Sequence, residues 1–114
     1  MTKDEALKIV NDNYAAANDS FLFYLHERDS FRADRFNTLC KAVDALADSK
    51  DEMLTEIITR CYQSILKEFI YHFNPNDSSQ IRDFPKHYTH YLEKFDCALA
   101  RYYIGGNKQN EKEG

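Results

Sequence analysis

Apolar residues recur every three or four positions near the amino terminus. Their 3-4-3-4-3 spacing places them along one face of a helix, and the positions are Leu7, Val10, Tyr14, Ala17, Phe21 and Tyr24. Thr2 and Glu5 match a capping box, in which each side chain accepts a hydrogen bond from the other residue's backbone amide. A helix is therefore predicted to start at Lys3. The run Asn18-Asp19-Ser20 is unfavourable in a helix, so a kink or break there is the alternative, but the unbroken apolar stripe favours a continuous helix through it.

Two further apolar stripes predict a second and a third helix. The second follows cap-forming residues near Asp29-Ser30 and carries an apolar stripe at Phe36, Leu39, Val43 and Leu46. The third follows Ser49-Lys50-Asp51-Glu52, which matches the capping box again, and ends before Asn74-Pro75. Its wide stripe predicts the most buried helix of the protein, and the positions are Leu54, Ile57, Ile58, Cys61, Ile65, Leu66, Phe69 and Phe73.

The last apolar stripe predicts a fourth helix. Pro85 suits its first turn, and Gly105-Gly106 is typical of a helix C-terminal stop. Four helices joined by short connections favour an all-α fold, an antiparallel up-down four-helix bundle. We expect a single helical-bundle domain over 1–106 and a disordered polar tail over 107–114.

Composition supports one helical domain. The chain has 114 residues, of which 43% are hydrophobic, with only 3 Gly and 2 Pro, so it has material for a core and little for many turns. No segment approaches the roughly 20 apolar residues of a membrane span. The amino terminus carries Asp4 and Glu5 without an apolar signal region. We therefore expect a soluble protein located in the cytoplasm.

Residues capable of catalysis or metal binding form no strong pattern. Cys40, Cys61 and Cys97 each lie beside an apolar stripe and are predicted to be reduced core residues. Glycine-rich phosphate loops do not occur in the sequence. We predict that the protein is not an enzyme and binds neither a cofactor nor a metal.

The best metal candidate is a group on the predicted fourth helix. His87, His90 and Glu93 recur at helical spacing and share one face. A di-metal bundle would require further acids or histidines on other helices, and no matching positions occur there. Surface histidines are therefore the favoured interpretation, and a metal site is the alternative.

Charge argues against nucleic acid and towards a basic protein partner. With 19 acids and 15 bases the net charge is −4, which repels a phosphate backbone. Five acids gather around the predicted turn between the second and third helices, namely Asp44, Asp48, Asp51, Glu52 and Glu56. These acids could steer a basic partner. The alternative is that Asp51 and Glu52 serve the helix N-terminus while the others maintain solubility.

Aromatic residues suggest an interface. The chain has 8 Tyr and 8 Phe, and several fall off the main stripe of their helix. These residues are Phe23, Phe31, Tyr71, Phe84 and Tyr103. Because tyrosine buries a large area and retains a polar tip, it suits binding surfaces. A homodimer whose seam uses the off-stripe aromatic residues of the first and fourth helices is the alternative to a wide core.

In size, charge and helical content the chain resembles the bacterial immunity proteins and antitoxins that cap basic nuclease toxins. The resemblance implies a small acidic protein-binding module that inhibits a basic partner by occluding it. The predicted partner-binding residues are Asp44, Asp48, Asp51, Glu52, Glu56 and Tyr62. A homodimeric helical scaffold or regulator is the alternative, followed by a metal-binding helical protein. Neither nucleic acid nor a membrane is an expected partner.

Overall fold

The computed structural model describes residues 1–76 and 80–113, with side chains as far as Gly105. The described residues form five α-helices and one short 3₁₀ turn, joined by connecting segments, and no β-strand. They are α1 (Lys3–Tyr14), α2 (Phe21–Glu27), α3 (Ala33–Ala45), the 3₁₀ turn (Ala47–Ser49), α4 (Glu52–Phe73) and α5 (Tyr88–Glu113). The predicted all-α class is confirmed.

Helix α1 begins as its sequence predicts. The Thr2 hydroxyl accepts the Glu5 amide at 3.1 Å, and the Glu5 carboxylate accepts the Thr2 amide at 3.2 Å. Two amide groups that the first helical turn leaves without a partner are thereby satisfied. The predicted capping box is confirmed, because it depends only on residues three positions apart.

The chain breaks between α1 and α2, so the favoured continuous first helix is wrong and the alternative, a break at Asn18-Asp19-Ser20, is observed. Ala16, Asn18 and Asp19 adopt positive φ angles of 51°, 53° and 60°. Asn and Asp enter this left-handed region more readily than most residues. The Ser20 hydroxyl then accepts the Phe23 amide at 3.2 Å and starts α2. The predicted stripe also differs from the buried face, since Val10 and Phe21 are buried but Tyr14 is 53% exposed, so apolar spacing alone did not show the break.

Asn13 is a polar residue inside the core, and it joins α1 to α2. Its side chain is 2% exposed. Its Nδ2 donates to the Ile9 carbonyl at 2.9 Å, and its Oδ1 accepts the Leu22 amide at 3.0 Å. The first amides of α2 lack partners within that helix, so Asn13 supplies one from the preceding helix.

The core is rich in aromatic residues. Phe21, Phe36, Phe95 and Tyr102 are fully buried. Phe31 is buried among them, with its ring 5.2 Å from that of Phe21. Phe31 lies in the connection before α3 rather than on a helix face, which explains why helical spacing places it off the stripe.

The segment 80–87 packs against the connection between α2 and α3. The Asp83 carboxylate accepts the Phe31 amide at 2.6 Å and the Ser30 hydroxyl at 3.2 Å. The Arg82 guanidinium donates to the Arg28 carbonyl at 2.8 Å. On the opposite side, the Ile81 amide donates to Nδ1 of His72 at 3.0 Å. We call this set of contacts the 80–87 clamp.

Several predicted helix ends differ from the observed ones. Helix α3 begins at Ala33, three residues beyond the predicted cap region, because the Ser30 hydroxyl and the Phe31 amide donate to Asp83 and Ser30 does not cap the helix. Asp51, and not Ser49, caps α4 by accepting the Leu54 amide at 2.8 Å, since Ser49 belongs to the 3₁₀ turn.

Helix α5 also departs from its predicted ends. It starts at Tyr88, so that His87 precedes it, and it continues through Gly105 and Gly106, where a stop is predicted. A glycine weakens a helix by about 1 kcal/mol but does not forbid it. The predicted disordered tail, 107–114, overlaps the end of α5, whose backbone is described as far as Glu113 and whose side chains are described as far as Gly105.

Within the described residues, none of the helices combines the length and the apolar character that crossing a membrane requires.

Candidate protein-binding surface

The five acids that the sequence brings together do lie around the connection from α3 to α4. We call Asp44, Asp48, Asp51, Glu52 and Glu56 the acidic turn. All five side chains are exposed. The 3₁₀ turn carries Asp48, and the neighbouring helices α3 and α4 carry the other acids or are capped by them. The short connection between the two helices is what holds these charges together.

Two of the five charges are balanced by arginines. Arg101 donates from Nε and Nη2 to the two carboxylate oxygens of Asp44 at 2.8 and 3.0 Å. A paired, two-bond contact of this kind holds both side chains in one geometry. Glu56 pairs with Arg60 one turn further along α4 at 3.3 Å. The acidic turn is therefore less negative than its sequence suggests.

The remaining acids divide by role. Asp51 is engaged as the N-cap of α4. Asp48 and Glu52 have carboxylates that are exposed at the same end of the molecule. Lys50 lies between them in sequence, but its ammonium donates to the backbone carbonyl of Tyr103 on α5. Asp48 and Glu52 are thus the acids best placed to attract a partner.

Tyr62 occupies a structural position, half-buried against α5. Its ring stacks on Phe95 with centroids 5.1 Å apart and planes 3° from parallel. Burial raises the pKa of the Tyr62 hydroxyl, and the nearby charge of Asp96 adds to the effect. Much of the ring is therefore already committed to packing within the chain.

Tyr103 is the tyrosine that adjoins the acidic turn. It is 41% exposed, and its hydroxyl lies 3.1 Å from Oγ1 of Thr59. The next residue, Ile104, is 56% exposed. The sequence marks Tyr103 as off-stripe, but its proximity to Lys50 could not be predicted, because 53 residues separate the two along the chain.

Close packing fixes α5 against the acidic turn. A Cβ atom added to Gly105 would lie 2.6 Å from Cβ of Ala47, well inside van der Waals contact. Only a glycine lets the two backbones approach this closely without a shift. The Arg101, Lys50 and Gly105 contacts together hold the segment of α5 that carries exposed Tyr103 and Ile104 against the connection between α3 and α4.

The metal candidate gains no support from the geometry. His90 and Glu93 lie on the outer face of α5, where they line a shallow groove with Lys94, Cys97 and Arg101. Among the described side chains, no three histidines, cysteines or acids come together as metal ligands would. Lys94 and Arg101 place basic side chains in the same groove, where a cation would have to bind.

The three cysteines do not share one environment. Cys40 and Cys61 are buried as predicted, and burial raises their thiol pKa values to about 11 and about 12. Such thiols remain protonated at neutral pH and are poor nucleophiles. Cys97 is exposed, so the prediction that it belongs to the core is wrong. It sits on the outer face of α5, opposite buried Phe95 and Leu99.

A second groove, of about 290 Å³, runs between the α1–α2 break and α4. His26 and Glu68 meet in it, with Nδ1 and Oε1 2.9 Å apart. The pKa of His26 is raised, first by this hydrogen bond and further by the charges of Glu68, Glu27 and Asp29, although burial opposes the shift. The pair links α2 to α4 across the groove.

No model of a known protein family, no curated protein and no solved structure matches this chain.

Proposed function

We propose that the protein is a small binding module that inhibits a basic partner protein by covering its active surface. It acts by association and not by catalysis. The observation that carries the proposal is that the segment of α5 with exposed Tyr103 and Ile104 contacts the 3₁₀ turn and Lys50, between exposed Asp48 and exposed Glu52 in the sequence. Acids steer a basic partner into encounter, whereas an exposed tyrosine and an isoleucine supply area that becomes buried in the complex.

Rigidity supports the same proposal. Arg101, Lys50 and Gly105 hold this end of α5 against the 3₁₀ turn. A surface that is already ordered loses less conformational entropy on binding than a flexible one. Tyr103 replaces Tyr62 as the proposed anchor, because the ring of Tyr62 is stacked within the chain.

We also propose that the helices form an antiparallel up-down four-helix bundle, in which α1 and α2 count as one broken helix. Its support is the pairing of α4 with α5. Thr55 contacts Tyr102, Tyr62 contacts Phe95, and Phe69 contacts Tyr88, so residue numbers rise along α4 while they fall along α5.

We expect a basic protein to co-purify with this chain at low salt from the native cells. The test is the association of the two proteins. Once that partner is purified, we expect Asp48→Lys with Glu52→Lys to slow its association rate and to flatten the dependence of that rate on salt. Tyr103→Ala should act on dissociation instead, weakening affinity by about 30-fold if Tyr103 is a central anchor.

A matched control is Glu27→Lys with Glu93→Lys, which changes the net charge equally at exposed positions away from the acidic turn. The control pair should alter the association rate far less than the Asp48, Glu52 pair. Equal effects of the two pairs would show that only overall charge matters. In that case the acidic turn is not the interface.

A further inference from the structure

The outer face of α4 carries a second regular stripe, on the side opposite its buried residues. The stripe has the 3-4-3-4-3 spacing of a single helix face, apolar at its two ends and charged or polar between them, and its members are Met53, Glu56, Arg60, Gln63, Lys67 and Ile70. All six side chains are exposed. Met53 is 73% exposed and Ile70 is 66% exposed, the two highest values among the large apolar residues. We call these six residues the α4 stripe.

The α4 stripe is complementary to itself when reversed. In a two-fold antiparallel helix pair, residues equally far from the midpoint face each other. With the midpoint between Cys61 and Tyr62, Met53 meets Ile70 of the partner copy, Glu56 meets its Lys67, and Arg60 meets its Gln63. Every position in the stripe then has a partner of matching chemistry.

Other pairings of the stripe are poorer. A parallel pair would place Glu56, Arg60 and Lys67 each against its own copy, so three layers of six would bring together like charges. A strongly basic or strongly acidic partner would match only one half of the stripe. The balanced charge and the apolar residue at each end select a reversed copy of the same helix.

We propose that two copies of the protein associate through antiparallel contact of their α4 stripes. The buried contacts are Met53 with Ile70 of the partner copy at both ends, and Glu56 with Lys67 of the partner copy lies inside them. Glu56 already pairs with Arg60 of its own chain at 3.3 Å, so in the dimer it is held between two cations. The seam spans about 25 Å of helix.

This seam differs from the one that the sequence suggests. Of the off-stripe aromatic residues of the first and fourth predicted helices, Phe23 is half-buried and Tyr103 is exposed, so only part of that predicted seam is open to a partner. The two most exposed of the large apolar residues that the structure describes, Met53 and Ile70, lie instead at the two ends of α4. Glu56 is the one residue that the acidic turn and the α4 stripe share. The dimer proposal does not depend on the binding of a basic partner, because Asp48 and Glu52, the acids assigned to that partner, are outside the stripe.

The experiment is sedimentation velocity over a range of protein concentrations. Wild-type protein is expected to shift towards twice the 13.4 kDa mass of the monomer as concentration rises. Glu56→Lys and Lys67→Glu, made separately, should each weaken dimerisation about tenfold or more, because each puts two like-charge pairs into the seam. The double variant Glu56→Lys, Lys67→Glu restores opposite charges and should dimerise like the wild type.

The control is Glu93→Lys on the outer face of α5, which makes the same charge change outside the seam and should leave dimerisation unchanged. Circular dichroism verifies that each variant is folded, which is expected because all substituted positions are exposed. A wild type that stays monomeric at the highest concentrations overturns the proposal. So does a double variant that dimerises no better than the two single variants.

Discussion

The Leu22 amide donates to Oδ1 of Asn13 across the break between α1 and α2, over 3.0 Å in a fully buried setting. The same side chain donates from Nδ2 to the Ile9 carbonyl. One asparagine side chain thus joins the last turns of α1 to the first turn of α2 by two hydrogen bonds. Because the Leu22 amide is buried, water cannot replace the hydrogen bond that it makes with Asn13.

Asn13→Ala is expected to lower the free energy of unfolding by about 1–3 kcal/mol, since it leaves the Leu22 amide buried without an acceptor. Urea-induced unfolding measures the change. Asn11→Ala is the matched control, because Asn11 makes the same type of bond, from Nδ2 to the Leu7 carbonyl at 2.9 Å, on the exposed side of α1. That substitution should change stability by less than about 0.5 kcal/mol. Equal losses would show that Asn13 does not join the helices.

The His26–Glu68 pair predicts a pH dependence of stability. The pKa of His26 is raised above its ordinary value of 6.5 in the folded protein, chiefly by the hydrogen bond to Glu68. The pair therefore contributes fully below that ordinary value, and its contribution is lost as pH rises through the higher folded-state pKa. His26 is 60% exposed, so solvent screening holds the contribution below about 1 kcal/mol.

The measurement is the free energy of unfolding of wild type and His26→Gln at pH 5.5 and pH 8.5. The wild type should exceed His26→Gln by more at the lower pH than at the higher pH. Subtracting the variant removes the titration of the other groups, which both proteins share. A difference between the two proteins that grows with pH would contradict the assigned role of the pair.

Gly105→Ala tests the close approach of α5 to the 3₁₀ turn. The added methyl meets Cβ of Ala47 at 2.6 Å, and the resulting overpacking should destabilise by about 1–3 kcal/mol. The improved helix propensity of alanine offsets about 1 kcal/mol of this loss. In an Ala47→Gly background the clash is removed, so the same Gly105→Ala change should become neutral or stabilising. Unfolding curves of the four proteins give the sign in each background.

Thiol reactivity should separate the three cysteines. Cys97 is exposed, whereas Cys40 and Cys61 are buried with raised pKa values. A disulfide reagent at pH 8 is expected to modify one thiol rapidly in the native protein and all three after unfolding. Cys97→Ser should abolish the rapid phase. Rapid modification of more than one thiol would show that the core opens around Cys40 or Cys61.

Features that depend on neighbouring residues are predictable from the sequence. The Thr2–Glu5 capping box is one, because both partners lie within one helical turn. The buried face of α4 is another, since Leu54, Ile58 and Ile65 follow helical spacing, although Phe73, also predicted on this face, is 55% exposed. The clustering of the acids also follows from sequence, because a short connection joins α3 to α4.

Features that depend on distant residues are not predictable in this way. The break after Tyr14 relies on Asn13, and a single asparagine in an apolar stripe gives no sign that it bonds a later helix. Arg101 offsets the charge of Asp44 from 57 positions away. Tyr62 and Tyr103 look alike in sequence, yet one stacks on Phe95 and the other remains exposed.

The 80–87 clamp also bears on the order in which the protein folds. The bond between Asp83 and the Phe31 amide joins residues 52 positions apart, and it requires α3 and α4 to be turned back on each other first. Closing so large a loop loses chain entropy before any contact is gained. Local helices and the capping box should thus form early and the clamp late. Until the 80–87 clamp forms, the connection around Phe31 is accessible to proteases and to association with other incompletely folded chains.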